Sequence, residues 1–447
     1  MATDRTALLA LDAVTLRDRL ASGAVRAIDL TEACLAQIAE REPDVQAFAW
    51  LDPDHARKQA SALDERRIRG QPTGPLHGLP VALKDIIDTV GIPTQNGTAR
   101  DAGRKPMRDA FVTERLRAAG AVILGKTVTT ELAFMDAGPT RNPHNPAHTP
   151  GGSSSGSAAA VAAAMVPLAV GTQTGGSVIR PAAFCGVTGY KPTFGGIPRR
   201  GILAQSPSLD TVGVFARTAP EAAMLAEVLF GHDAEDTATA LAPHPGLLRL
   251  AQSAPPLPPV FAIVHPPGWE DADPQVHAAF DELTQALGDQ GFIAPLPALF
   301  DRAAAAREQI NFAEMARCYY TYARDAGDTL GPHVRGAINT GNAILARDYL
   351  SALDVGRVLN AGLDEIFDRC DAILCPAAPG PAPEGLDSTG SAIFNGLWTF
   401  CGTPAITLPV LTAENGLPMG VQLVARRGDD ARLMRNATWL ATWLDAS

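Results

Sequence analysis

The chain has 447 residues, of which 46% are hydrophobic and 19% are charged, and its formal net charge is −11. This composition is ordinary for a globular protein, and the negative charge argues against a nucleic-acid partner, because a phosphate backbone needs a basic surface. The chain has no apolar run near the ~20 residues of a membrane-spanning helix, so we expect no membrane partner.

Six cysteines are scattered between positions 34 and 401. Sparse and irregular spacing favours reduced, mostly buried thiols over a disulfide framework or a zinc site. We therefore expect a cytoplasmic protein. The length allows two or three average domains or one unusually large domain.

The predicted elements begin with a helical segment of about 70 residues. Within it, Asp29 followed by Glu32 is typical of a capping box at a helix start. From residue 76 onward, short apolar strands alternate with helices. We predict strands over 79–83, 121–124 and 168–170, and helices over 110–119 and 155–165.

The second half opens with a surface connection over 241–259, which is rich in proline and alanine. The pattern then predicts strands over 261–264 and 371–375, helices over 300–325, 347–369 and 433–444, and an aromatic loop over 394–404. Alternating strands and helices predict an α/β fold with a large mixed, mainly parallel central sheet that helices cover on both faces.

Two glycine–serine segments lie close together in the chain, GGSSSG at 151–156 and GTQTGGS at 171–177. Glycine pairs let the backbone bend sharply and point its N–H groups into a site. A serine that ends such a turn is a candidate nucleophile, and the N–H groups beside it are a candidate oxyanion hole. The alanine-rich helix between the segments can pack closely enough for both turns to meet.

Lys84 ends the apolar strand predicted upstream of these turns, where α/β folds place active sites. A partly buried lysine has a lowered pKa and can act as a neutral base, although an isolated strand-end lysine more often reaches solvent. With Ser153 and Ser177 nearby, the pattern favours a lysine base that draws a proton from one serine through the other.

Two other chemistries are less well supported. Residues 152–156 match G-x-S-x-G with Ser154 as the nucleophile, but that mechanism needs a late histidine, and none of the nine lies in the last 114 residues (447 − 333). His144 and His148 have a zinc-binding spacing for a helix, but the prolines around them prevent that helix.

These segments closely resemble the amidase signature family. The resemblance covers residues 77–85, 151–163, 171–177, 180–182, 184–186, 189–193, 394–395, 398–399 and 402–405. It implies a single domain over 1–447, with a catalytic core segment over 75–220. The region 225–370, where the resemblance is weakest, is implied to be variable, largely helical and part of the substrate pocket.

The resemblance also implies roles for individual residues. Ser177 would be the nucleophile, Ser153 the bridging serine and Lys84 the ultimate base. Ser153 would follow a cis peptide bond after Gly152, and Ser154 would support it by hydrogen bonding. The oxyanion hole would be formed by the backbone N–H groups of Thr174, Gly175, Gly176 and Ser177.

The chain departs from the family pattern at two places. Gln173 stands where the family usually has aspartate, and Ile179 with Arg180 stands where it usually has arginine first. This arrangement resembles malonamidase-like members, in which the arginine binds a substrate carboxylate; the alternative is that Arg180 pairs with a nearby acid or a backbone carbonyl. Larger apolar substrates would instead be held by Phe134, Met135, Phe394 and Trp398.

The resemblance therefore predicts hydrolysis of a small-molecule carboxylic amide through an acyl-enzyme, with esters and carbamates as further substrates. It implies no cofactor and no metal, and it is compatible with a homodimer. One alternative is the glutaminase (A) subunit of a tRNA-dependent amidotransferase, which needs partner subunits and an ammonia channel. Another is a catalytically silent binding protein.

Overall fold

One sheet of eleven strands forms the framework of the computed structural model, which describes residues 5–446. In chain order, the strands are β1 (Phe48–Leu51), β2 (Pro80–Lys84), β3 (Val122–Thr127), β4 (Leu168–Gln173), β5 (Thr188–Lys191), β6 (Thr211–Ala216), β7 (Phe261–Ile263), β8 (Gly291–Ile293), β9 (Ala372–Pro376), β10 (Ala405–Thr412) and β11 (Pro418–Val424).

The spatial order is β1-β3-β2-β4-β6-β5-β10-β11-β9-β7-β8. The large mixed sheet predicted from the sequence is confirmed. The expected predominance of parallel pairs is wrong, because the pairs β3/β2, β2/β4, β9/β7 and β7/β8 are parallel and the other six are antiparallel. The antiparallel centre includes the tight β10–β11 hairpin, and short connections of this kind join antiparallel neighbours.

The helices flank this sheet. They are α1 (Arg5–Ala10), α2 (Ala13–Ser22), α3 (Ala27–Val45), α4 (Pro53–Ile68), α5 (Phe111–Ala118), α6 (Ser155–Ala162), α7 (Ile179–Cys185), α8 (Ala219–Leu229), α9 (Leu247–Ala251), α10 (Pro274–Leu287), α11 (Ala303–Cys318), α12 (Tyr320–Ala326), α13 (Pro332–Asn342), α14 (Ala346–Phe367), α15 (Gly396–Phe400) and α16 (Asp430–Ala446). None of the helices within residues 5–446 is both long and apolar enough to cross a membrane.

Both faces of the sheet are covered. In β9, Leu374 packs into one buried apolar cluster, and its neighbours Ile373 and Cys375 pack into another. Successive side chains of a strand point to opposite faces, so the two clusters lie on opposite sides of the sheet. The predicted cover on both faces is confirmed.

Two local predictions are wrong for reasons of tertiary structure. Helix α3 begins at Ala27, ahead of Asp29, and its first N–H groups bind Asp64 from α4 at 2.8 and 3.0 Å. The expected aromatic loop over 394–404 contains the short helix α15, which packs against α11. The domain boundaries implied by the resemblance stay a prediction.

Candidate active site

Lys84 ends β2 between two parallel neighbours, and its side chain is fully buried. Its Nζ donates hydrogen bonds to Ser153 Oγ at 2.7 Å and to Thr172 Oγ1 at 3.0 Å. Burial lowers the pKa of Lys84 to about 7, and the charge of Asp210 opposes that shift. A large share of Lys84 is therefore neutral near pH 7, and a neutral amine can accept a proton.

Ser153 lies just before α6, and the backbone conformation around it places its hydroxyl next to Lys84. The peptide bond between Gly152 and Ser153 is cis, as the resemblance implies. At the start of α6, a side chain on Gly156 would stand 2.2 Å from the Ala47 carbonyl oxygen. Only glycine therefore allows α6 to approach so closely, which is a physical reason for small residues in this helix.

Ser154 has a different environment from Ser153. Its Oγ donates to the Thr172 carbonyl oxygen at 3.2 Å and accepts from the Thr172 N–H at 3.3 Å. These bonds tie the first glycine–serine segment to β4. They also occupy the hydroxyl that a serine–histidine mechanism would need as its nucleophile.

The second glycine–serine turn follows β4 and is held by the Gln173 side chain. Gln173 Oε1 accepts from the N–H groups of Val178 and Ile179 at 2.8 and 3.0 Å, and its Nε2 donates to Thr399 Oγ1 at 2.9 Å. Thr399 Oγ1 in turn donates to the Gly175 carbonyl oxygen at 2.8 Å. The glutamine therefore braces both sides of the turn.

The backbone of residues 174–177 keeps its donors available. Within residues 5–446, no hydrogen bond uses the N–H groups of these four residues, whereas the next two N–H groups bind Gln173. A side chain on Gly176 would stand 2.5 Å from Asn395 Oδ1. Close packing thus requires glycine here, and it leaves backbone donors free for an oxyanion.

Ser177 ends this turn and is half-buried on the wall of a cavity of about 460 Å³. Its hydroxyl makes no hydrogen bond within the part of the chain that the structure describes. The same cavity is lined by Phe134, Met135 and Arg180, and by α11. The structure therefore places a free hydroxyl and free backbone donors beside one space large enough for a small organic molecule.

The two histidines with zinc-binding spacing bind backbone carbonyl oxygens. His144 Nε2 binds the Cys185 carbonyl oxygen at 2.9 Å, and His148 Nδ1 binds the Ala382 carbonyl oxygen at 2.7 Å. Their rings therefore have separate backbone partners. Residues 5–446 contain no group of three or more His, Cys, Asp or Glu side chains that could hold a metal ion.

A family model described as Amidase matches residues 29–434. The chain belongs to the amidase signature family. The (A) subunit of the glutamyl-tRNA(Gln) amidotransferase of Chloroflexus aurantiacus is 36% identical, with 93% of each chain covered. The amidase signature assignment makes this protein a hydrolase of C–N bonds.

Two solved structures extend the comparison. The peptide amidase of Stenotrophomonas maltophilia has a TM-score of 0.83 and 28% identity, with 98% of this chain and 97% of that chain covered. An inhibitor-bound chain from a vestigial protein complex, described as revealing the evolutionary origins of an s-triazine catabolic enzyme, has a TM-score of 0.90 and 30% identity, with 97% and 98% covered.

Two of the predicted pocket residues of this amidase signature protein lie elsewhere. Phe394 and Trp398 are fully buried in the two apolar clusters, and neither lines the cavity. Phe394 precedes α15 and packs into the cluster that holds Leu374, whereas Trp398 lies within α15 and packs into the cluster that holds Ile373 and Cys375. From the same segment, Ile393 and Leu397 reach the cavity instead.

Arg180 is held by the backbone. Its two terminal nitrogens donate to the carbonyl oxygens of Gly152 and Gly390, each at 2.6 Å, and no acid pairs with it within residues 5–446. Burial lowers the pKa of Arg180 to about 10. Arg180 therefore binds backbone carbonyl oxygens, which was one of the alternatives that the sequence left open. Among its side-chain nitrogens, only Nε has no partner.

Sequence reasoning missed three polar groups near the site. Thr172 gives Lys84 its second contact, and Asp210 accepts from Thr174 Oγ1 at 2.6 Å. Burial raises the pKa of Asp210 to about 6. Arg307 of α11 lines the cavity. Thr172 lies inside the GTQTGGS segment, so its role at the site could have been predicted from the sequence. No local motif indicates a role for Asp210 or Arg307.

Proposed function

We propose that this protein hydrolyses a carboxylic amide through an acyl-enzyme on Ser177, with Ser153 as the bridging serine and Lys84 as the base. The observation that carries the proposal is the fully buried Lys84, whose Nζ lies 2.7 Å from Ser153 Oγ and whose pKa is lowered to about 7 by burial. A lysine in this state can accept a proton at neutral pH.

The reaction starts when the free Ser177 hydroxyl turns to Ser153 and its proton passes through Ser153 to neutral Lys84. The Ser177 oxygen attacks the carbonyl carbon, and the N–H groups of residues 174–177 bind the oxyanion that forms. Ser153 then delivers a proton to the leaving nitrogen, and water releases the acyl group from Ser177. Proton delivery matters most for amides, because an amine anion is a poor leaving group.

Supporting residues keep this geometry. Ser154 links the first turn to Thr172, and Arg180 holds the Gly152 carbonyl oxygen next to the cis bond. Phe134 and Met135 supply apolar wall around the substrate. The mechanism uses no cofactor and no metal, and it extends to esters and carbamates because they present the same carbonyl carbon.

A fluorophosphonate that reacts with activated serines tests the nucleophile. We expect one covalent adduct, located on Ser177 by peptide mass spectrometry, and no adduct in Ser177→Ala. Ser391→Ala is the matched control, because it removes an exposed serine from the wall of the same cavity and should keep the label on Ser177. Absence of any adduct would favour a catalytically silent binding protein.

A second candidate function is the glutaminase (A) subunit of a tRNA-dependent amidotransferase. It is favoured by the 36% identity to the corresponding subunit of the Chloroflexus aurantiacus glutamyl-tRNA(Gln) amidotransferase over 93% of both chains. The proposed chemistry is the same in both functions, but this one needs partner subunits and a path for ammonia. In that function, the partner subunits would bind the tRNA, because a chain with a net charge of −11 is poorly suited to bind a phosphate backbone itself.

The purified single chain separates the two candidates. Turnover of simple amides by the chain alone supports an independent amidase, and sedimentation tests whether it does so as a homodimer. Hydrolysis of L-glutamine only after the partner subunits are added would support the amidotransferase function.

A further inference from the structure

Arg307 of α11 presents a guanidinium group to the cavity without a close partner. Its side chain is 19% exposed, and no hydrogen bond within residues 5–446 uses its nitrogens. The nearest acid is Glu308, whose Oε1 lies 3.9 Å away and whose side chain is 55% exposed. A guanidinium has five N–H donors, so an unusual number of donors remains open here.

Arg307 differs from Arg180, the other arginine named in this cavity, in its hydrogen bonds. Arg180 lines the same cavity, but its two terminal nitrogens bind backbone carbonyl oxygens. Arg307 makes no such bond, although burial lowers its pKa and so opposes its charge. Burial disfavours the charge of this guanidinium, so an anion that binds to its open donors stabilises it.

The position of Arg307 puts this charge beside the proposed reaction centre. Its Nη1 lies 3.4 Å from the point that a side chain on Gly175 would occupy. On the other side, its Nε lies 2.8 Å from the corresponding point of Gly396. The two glycines therefore leave the space that the guanidinium fills, next to the turn that ends at Ser177.

The residues around Arg307 determine which kind of ligand its charge would favour. The nearby wall contains the apolar residues Phe312, Leu397 and Ala303, and it also contains Asn311 and Glu308. Phe134 packs edge-on against Phe312, with the ring centroids 6.2 Å apart. An anion in this cavity loses water contacts and gains a planar pair of N–H donors, which suits a carboxylate.

We propose that Arg307 binds a carboxylate of the substrate, so that the preferred substrates are small amides that carry a negative charge a few bonds from the scissile carbonyl. This inference rests on the proposed function, because it names the substrate class of the same site. Arg180 then keeps its backbone contacts and positions the Gly152 turn.

Two matched pairs of amides test the inference. Malonamate is compared with acetoacetamide, and succinamate with 4-oxopentanamide, because a methyl group replaces one carboxylate oxygen in each neutral partner. We expect the wild type to prefer the charged member of at least one pair. Arg307→Met should lower kcat/KM for that member by about 10- to 100-fold and change the neutral member by less than about twofold.

Two variants control for a general disturbance of α11. Arg317→Met removes an exposed arginine from the same helix and should leave both members of each pair unchanged. Arg307→Lys keeps a charge without the planar fork and should recover part of the preference. Equal losses for charged and neutral amides in Arg307→Met, or no preference in the wild type, would overturn the inference.

Binding without turnover separates this inference from the proposed function. Malonate should raise the melting temperature of the wild type and of Ser177→Ala, but not that of Arg307→Met. Fluorophosphonate labelling of Ser177 together with no carboxylate preference overturns the inference alone. Arg307-dependent binding of malonate without labelling or turnover supports the anion site and overturns the proposed function.

Discussion

The strand-end centre, formed by Lys84, Ser153 and residues 174–177, and the cavity wall from α11 and α15 differ in how their polar groups are held. In the centre, Lys84 has two hydroxyl partners and the nucleophile turn is braced by Gln173. On the wall, Arg307 has no hydrogen bond within the described residues, and Ile393, which precedes α15, is more than two-fifths exposed. The hydrogen-bonded centre is therefore fixed in position for the reaction, whereas the unpaired groups of the wall are available to bind the substrate.

The largest effect should come from the nucleophile of the centre. Ser177→Ala should lower kcat/KM by at least about 10⁴-fold for every substrate, because no other hydroxyl can form the acyl-enzyme. Its melting temperature should stay within about 2 °C of the wild type, because the Ser177 hydroxyl has no partner to lose. Retained turnover would remove Ser177 from the mechanism.

The base should show the next largest effect. Lys84→Met should lower kcat by about 10²- to 10⁴-fold. In the wild type, the rate should fall as pH drops below about 7, because protonation of Lys84 removes the neutral base. A pH–rate profile measures both effects, and the variant should lose this acidic limb.

Lys191→Met is the matched control for the base. Burial lowers the pKa of Lys191 to about 7 as well, but its Nζ donates to the carbonyl oxygens of Pro192 and Thr403. This variant should lose stability and keep the acidic limb where it is. A shifted limb in Lys191→Met, or an unchanged limb in Lys84→Met, would contradict the assignment of the base.

Loss of the brace of the nucleophile turn should have a smaller effect. Gln173→Ala leaves the N–H groups of Val178 and Ile179 without their acceptor, which costs about 1–3 kcal/mol. We expect a lower melting temperature and a kcat reduced by about 10- to 100-fold. Gln173→Glu keeps an acceptor and should recover much of both, so an equal defect in the two variants would argue against the brace.

A change in the wall should affect substrate choice instead. In Gly396→Ala, the new methyl carbon would lie 2.8 Å from Arg307 Nε, so the flexible arginine side chain must move. We expect KM for malonamate to rise by about three- to tenfold, with kcat for acetoacetamide unchanged. Gly336→Ala is the control, because its methyl group would meet nothing within 4 Å.

The smallest expected effect is a displacement of the pH profile. The charge of Asp210 raises the pKa of Lys84 against the effect of burial. Asp210→Asn should therefore lower the pKa of Lys84 and move the acidic limb to lower pH. Asp354→Asn removes an exposed acid from α14 and should leave the limb in place, whereas a limb that moves upward in Asp210→Asn would reverse the inferred sign.

Much of the catalytic half could be predicted from the sequence. The strand predicted over 79–83 is observed as Pro80–Lys84, and the helix between the two turns begins at Ser155 as predicted. These elements are short runs of apolar or small residues bounded by glycine and proline, so local patterns describe them well. The same patterns single out Lys84, Ser153 and Ser177, whose catalytic roles stay proposals.

The central antiparallel strands and the cavity wall could not be predicted in this way. Strands β10 and β11 form a local hairpin, but β10 also pairs with β5 and β11 with β9 across long stretches of chain. Strands β5 and β6 are buried along their whole length and show no alternation. For the same reason, the cap of α3 comes from Asp64 and the charge in the cavity comes from Arg307. No local pattern encodes such contacts.

The α/β class, the strand-end lysine and the two glycine–serine turns follow from local sequence, because each depends on neighbouring residues and on backbone sterics. The fold determines that Phe394 and Trp398 face the core, that Arg180 binds backbone carbonyl oxygens and that Arg307 faces the cavity with open donors. These outcomes depend on which distant elements pack together, and packing is a property of the whole fold.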